Sequence, residues 1–162
     1  MPSIGREAIR VKLERCEPQE IVKISGLLAE PAPVFVTLRI LAELRGCIGG
    51  LTPLCANLVE ETKDRACAAA FGDPRFPPLT LPELKQTNVE VSILGPLEVI
   101  ASPEELDPVR FGIEVSDGGG RRGVLLPEIA GVDKVAQQIE LARQKARIPP
   151  GTNLEIRRFS VV

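Results

Sequence analysis

The chain has 162 residues, with 20 Lys and Arg against 22 Asp and Glu, a net charge of −2, no His, Trp or Tyr, and five Phe. A Ser-His-Asp or Cys-His centre, or a zinc site with imidazole ligands, cannot be built from this chain alone. Nucleic acid is disfavoured as a partner, because neither a basic excess nor a set of stacking aromatics is present.

In chain order, residues 5–16 predict a helix with Ile9, Leu13 and Cys16 on one face, closed by Pro18. Residues 19–29 predict a second short helix through Ile21, Ile24 and Leu28. Pro31 and Pro33 force extended chain. Residues 34–40, Val-Phe-Val-Thr-Leu-Arg-Ile, read as a strand, and Leu44 to Cys47 as its returning neighbour. Thr52-Pro53 carries the signature of a helix start, a hydroxyl N-cap followed by proline. That helix is expected to run through Leu54, Leu58, Cys67 and Ala70 and to end at Gly72 in a left-handed C-cap. The stretch from Leu84 to Leu94 holds a strand over residues 89–94, and residues 97–101 predict a short one. Residues 111–116 and 122–126 flank Asp117-Gly118-Gly119-Gly120 as a hairpin. Asp133 is the expected N-cap of a helix over 134–147, and residues 154–161 alternate as a last strand. The pattern predicts an α+β fold with mainly antiparallel sheet, one domain over residues 1–162.

The N-terminus turns polar within six residues, unlike a signal peptide, and no run approaches the ~18 apolar residues of a membrane span. The four cysteines contain no Cys-x-x-Cys pair. A cytoplasmic protein with reduced thiols, no metal and no cofactor is expected.

The sharpest candidate for chemistry is Leu44-Arg45-Gly46-Cys47-Ile48-Gly49-Gly50-Leu51. Glycines admit a ligand close to the backbone. The adjacent Arg45 and a helix start near Thr52 are features that activate a thiol, so Cys47 is a candidate nucleophile or carrier. The competing reading is a small buried hydrophobe. Cys55 and Cys67, about 18 Å apart along one helix, read as core thiols. In Asp73-Pro74-Arg75-Phe76, either Asp73 and Arg75 pair to pin a loop with Phe76 in the core, or Arg75 faces a cleft and binds an anion. Gly118-Gly119-Gly120-Arg121-Arg122-Gly123 formally matches G-x-G-x-x-G, but a strand follows where that fingerprint needs a helix. It reads as a hairpin, with an anion site at Arg121 and Arg122 and a solvated strand edge both open. Glu60, Glu61 and Asp64 read as a solvated acidic helix face.

Several segments occur in the order found in one family. They are Phe35-Val36-Thr37-Leu38, Leu44-Arg45-Gly46-Cys47-Ile48-Gly49, Ala69-Ala70-Phe71, Asp73 through Leu79, Val89-Glu90-Val91-Ser92, Gly119 through Gly123, Leu126-Pro127, Lys145-Ala146 and Arg158-Phe159. Over residues 34–162 the chain resembles the AMMECR family, whose prokaryotic members are called AmmeMemoRadiSam system protein A. The resemblance implies a two-lobed α+β domain with a shallow cleft near Cys47. It also implies an intracellular role alongside Memo-like and radical S-adenosylmethionine proteins; the family has no settled activity. The segment before Phe35 is compressed, and Phe111 stands where many members carry His. The motif chemistry and this expected cleft together give the candidate site: Cys47 as the reacting group and Arg45, Gly46, Gly49, Asp73, Arg75, Arg121 and Arg122 as binders of an anionic small molecule. The alternatives are an accessory module that makes no bonds itself and, third, a nucleic-acid-binding protein.

Overall fold

A computed structural model describes residues 1–15 and 24–162. The chain divides into two compact units, Met1–Leu94 and Gly95–Val162. Both are α+β with antiparallel sheets.

The first unit opens with helix α1 (Pro2–Glu14), which starts earlier than periodicity suggests and ends on Arg15 in a left-handed conformation. Cys16 and the first part of the expected second helix lie outside the described residues; Gly26–Ala29 form one 3-10 turn. Strands β1 (Val34–Ile40) and β2 (Glu43–Gly49) form a hairpin. Its two-residue turn places Leu41 (φ 50°) and Ala42 (φ 70°) in the left-handed region, which L side chains with a Cβ adopt only at a cost.

Helix α2 (Leu58–Phe71) begins five residues later than the Thr52-Pro53 signal predicts. Asn57 is the true cap: its side chain accepts the Glu60 N–H at 2.9 Å, satisfying a donor that would otherwise be orphaned. Gly72 does end α2, but with φ −122° rather than left-handed. A Cβ there would sit 3.1 Å from the Ala68 carbonyl oxygen, so close approach, and not a positive φ, favours glycine. A short helix α3 (Leu81–Gln86) precedes β3 (Thr87–Ile93); sequence reading missed it. Its signal was Thr80-x-x-Glu83, a capping box in which the Glu83 carboxylate accepts the Thr80 N–H and O–H, each at 2.8 Å.

The sheet order is β2-β1-β3. Alternation along the central strand divides its two faces. Val34, Val36 and Leu38, all fully buried, meet Ile9 of α1 and Leu58, Ala66, Ala69 and Ala70 of α2 in one core. The small α2 residues let helix and sheet approach closely, and Gly46 completes the fit: a Cβ there would lie 2.3 Å from the Ala69 carbonyl oxygen. Phe35, Thr37 and Arg39 take the opposite face.

The second unit has sheet order β4-β7-β5-β6, from β4 (Glu98–Val99), β5 (Gly112–Ser116), β6 (Arg122–Leu125) and β7 (Glu155–Phe159). Helix α4 (Val135–Lys145) is capped at Lys134 rather than Asp133, with the Gln137 side chain accepting the Lys134 N–H. Leu106, Ile113, Val115, Ala142 and Ile148 form the core between α4 and one sheet face. Gly123 makes that contact possible, since a Cβ there would fall 2.1 Å from the Ala142 carbonyl oxygen.

Candidate thiol site

Cys47 lies within β2, next to Thr37 in register. Directly opposite residues of an antiparallel pair share a face, so the thiol stands beside the Thr37 side chain on the face away from the helices. The Thr37 hydroxyl donates to Cys47 Sγ at 3.4 Å. Thr37 is buried and Cys47 partly exposed.

β2 is an edge strand, and the loop after α2 closes its edge at this one residue. The Cys47 N–H donates to Asp73 Oδ2 at 2.9 Å, and the Cys47 carbonyl accepts from Arg75 Nη2 at 3.3 Å. Carboxylate and guanidinium thus do what a neighbouring strand's C=O and N–H would do. The two side chains also bind each other: Arg75 Nε donates to Asp73 Oδ1 at 2.9 Å and Nη2 to Oδ2 at 2.7 Å. Asp73 Oδ1 additionally accepts the Arg75 N–H at 3.1 Å. Asp73 is only 4% exposed, yet the Arg75 guanidinium, helped by the Cys47 and Arg75 N–H groups, holds its carboxyl well below the usual range. Arg75 is about half exposed, and its Nη1 makes no hydrogen bond among the described residues. Phe76 is not in the core as the first of the two readings expected. It is half-buried, with Arg45 and Arg75 guanidinium carbons 5.8 and 5.5 Å from its ring centre. Leu79, 2% exposed, anchors the loop instead.

Arg45 is turned away into a different set of contacts. The β1–β2 register shifts between Leu38 and Arg39, so that Leu38 faces Gly46 and Arg39 faces Leu44. Arg45 is the extra residue of this bulge, a device that re-aims a side chain. Its Nε and Nη2 meet the two oxygens of Glu83 at 2.9 and 3.3 Å, and Nη2 donates to the Pro77 carbonyl at 2.9 Å. The pairing pulls the Glu83 carboxyl down to about 2. The helix start expected beside Cys47 is also displaced, since α2 opens at Leu58. Gly49 fills a packing role: a Cβ there would lie 2.3 Å from Cγ of Phe35.

Glu61 overturns the reading of a solvated acidic face. It is fully buried and holds the loop before α2. Its Oε2 accepts the N–H of Leu54 (2.7 Å) and of Cys55 (2.8 Å), and its Oε1 accepts Arg65 Nε at 2.8 Å. Burial alone would raise its pKa, but the two backbone N–H groups and Arg65 outweigh that and bring it below the ordinary value. No spacing rule betrays this residue, because its partners lie in an irregular segment.

The thiols of Cys55 and Cys67 are pushed upward by burial, and that of Cys55 also by the Glu61 charge. Among the described residues, Cys47, Cys55 and Cys67 are free, and no group of three His, Cys, Asp or Glu side chains is arranged to hold a metal ion. No helix among them is long and apolar enough to cross a membrane.

Arg121 and Arg122 belong to the second unit. The hairpin is as predicted, but its N–H groups are already engaged: Asp117 Oδ1 accepts from Gly119 at 2.8 Å and Arg121 at 3.1 Å, and Ser116 Oγ accepts from Gly118 at 3.1 Å. The loop is therefore not an open phosphate cradle. Arg121 lies 3.8 Å from Asp117, and Arg122 leans on Glu114. Phe111, at the place where histidine was expected, stacks under Arg158 (4.5 Å) and Arg110 (5.4 Å).

Comparison with known proteins agrees with this architecture. A protein of Thermotoga maritima is 46% identical over 147 residues, 90% of this chain and 83% of that one. Protein MK0488 of Methanopyrus kandleri is 39% identical over 158 residues, 91% of this chain and 75% of that one. Protein CA_C1420 of Clostridium acetobutylicum is 39% identical over 128 residues, 79% of this chain but 27% of its own length. The crystal structure of the uncharacterized protein PH0010 from Pyrococcus horikoshii superposes with a TM-score of 0.87 at 33% identity, covering 99% of this chain and 86% of that one. The AMMECR1 family model matches residues 2–162. The chain therefore belongs to the AMMECR1 family.

Proposed function

We propose that this protein works in the cytoplasm through a site centred on Cys47, whose thiol serves as a nucleophile or carrier for an anionic small molecule. One observation carries the reading. Asp73 and Arg75 hold both main-chain groups of Cys47 on a strand edge, while its sulfur stays partly exposed and accepts a hydroxyl hydrogen bond. A merely structural thiol needs no such fixing. Arg75 supplies the anion contact, with its free Nη1 beside the cysteine. Gly46 and Gly49 contribute by keeping the backbone close-packed, and Arg45 by fixing the loop that carries Asp73 and Arg75.

Timed iodoacetamide labelling with peptide mapping tests this. Cys47 is expected to be modified faster than free cysteine and well ahead of Cys55 and Cys67. Labelling of Cys47 at or below the rate of free cysteine sinks the proposal.

A second reading is an accessory module in one pathway with Memo-like and radical S-adenosylmethionine proteins. The Clostridium relative supports it, because there the same domain occupies about a quarter of a much longer chain. Co-purification with such partners from one organism is the expected result. Absence of a complex at high concentration, with turnover by the isolated protein, would eliminate it.

A further inference from the structure

The second unit carries a charge arrangement independent of the thiol site. Glu114 lies on the central strand β5 and is 1% exposed. An isolated carboxylate there would be costly. Arg157, its direct cross-strand partner on β7, compensates it: Nε donates to Glu114 Oε2 at 2.7 Å, and Nη2 reaches the same oxygen. One guanidinium neutralises one carboxylate, yet a second is present. Arg122 of β6 sits diagonally across the strand pair and touches Glu114 Oε1 through Nη1 at a long 3.5 Å. Its side chain is 60% exposed, and its Nε and Nη2 have no partner among the described residues. The trio carries one positive charge, on two guanidiniums from the strands on either side of β5, aimed by a buried carboxylate; Glu155, the exposed register partner of Ser116 on β7, is the further carboxylate of this face.

Strand alternation puts all of these side chains on the sheet face away from α4, since Ile113 and Val115 face the helix core. Ser116, the register partner of Arg122, shares that face. It is 6% exposed, and its oxygen already accepts the Gly118 N–H, leaving its O–H free to donate. Planar guanidinium forks match the paired oxygens of carboxylates and phosphates, and here they rest on strands rather than on a mobile loop. We infer that Arg122, Arg157 and Ser116 form a receptor for an oxyanion, a carboxylate or phosphate group of a small molecule, with Glu114 as the residue that positions the two arginines. Nothing in this inference depends on Cys47.

The experiment is a titration of the whole 15N-labelled protein with inorganic phosphate and, separately, with succinate at constant ionic strength. Amide shifts of β5, β6 and β7 are followed in the native chain, Arg122→Gln and Arg147→Gln, the last an exposed arginine of the same unit just after α4. Saturable shifts with one or both anions, weakened at least tenfold by R122Q and within twofold of native for R147Q, are expected; the better-bound anion identifies the ligand's charged group. No saturable shift up to 20 mM of either anion, or equal binding by R122Q, overturns the inference. Should R122Q fail to fold, R122K replaces it: it keeps the charge without the fork and is expected to weaken binding at least threefold, and native-like binding by it overturns the inference.

Discussion

Replacing Asp73 by Asn keeps the size of the side chain and removes its charge. The four bonds to its carboxylate come from Cys47 N, Arg75 N, Arg75 Nε and Arg75 Nη2, two on each oxygen. An amide has one oxygen, so whichever way it is turned its NH2 faces two donors. With the amide nitrogen in the place of Oδ2, the Cys47 N–H loses its acceptor at a part-buried position against the buried Asp73 side chain. Leaving such a group unsatisfied costs about 1–3 kcal/mol. Arg75 is half exposed and can turn to water, so its ion pair adds only about 0–1 kcal/mol. Asp73→Asn is expected to lower stability by about 2–3 kcal/mol, read from urea unfolding. The pH dependence gives an independent check. The folded carboxyl titrates well below the ordinary Asp value of ~3.9, so on acidification the unfolded chain binds the proton first. The stability contributed is complete above about pH 5 and is lost as the pH falls below about 4 toward the folded value. The Asn variant should therefore show a flatter acid limb than the native protein. A loss under about 0.5 kcal/mol with an unchanged acid limb would refute the role of Asp73 as the clamp on β2.

Glu61→Gln has the same logic inside a fully buried site, where an amide cannot serve both the loop N–H pair and Arg65. A loss of about 3 kcal/mol is expected, with hydrogen exchange of the Leu54 and Cys55 amides speeding up before global unfolding; unchanged exchange at those two amides would contradict the assignment. The strained turn predicts the opposite sign. Leu41→Asn combined with Ala42→Gly places residues suited to φ > 0 in both positions and should stabilise by about 1 kcal/mol, a rise in thermal midpoint of a few degrees.

The elements with strong local signals were legible in the chain. The β1 strand coincides with its β-branched run at Val34–Ile40, the glycine-rich hairpin lies between β5 and β6, and the positions of α2, α4 and β7 follow from spacing, to within a few residues. The boundary errors share one cause. Thr52-Pro53 and Asp133 are sound local caps, but local preferences are worth about 1 kcal/mol, and tertiary contacts outweigh them. Glu61 draws residues 54–55 into a loop, and Asn57 then caps the helix. The three-residue shift of the α1 start and the missed α3 reflect the same weakness of short-range signals, although Thr80-x-x-Glu83 carries the capping-box pattern.

The candidate site was legible as a set of residues and not as an arrangement. Sequence singled out Arg45, Cys47, Asp73 and Arg75, because glycines and charges around a cysteine have a local chemical meaning. The Cys47–Asp73 bond joins residues 26 apart in the chain, and Arg45 meets Glu83 across 38; no periodicity reports such pairings. The zero count of histidine, fixed by composition, excludes imidazole from the chemistry of this chain whatever the fold. Which arginine faces the thiol, which braces a loop, and that Glu61 and Glu114 are buried were decided only by tertiary structure. Burial and charge pairing are properties of the surroundings that distant segments create, and a side chain's own neighbours in sequence do not contain them.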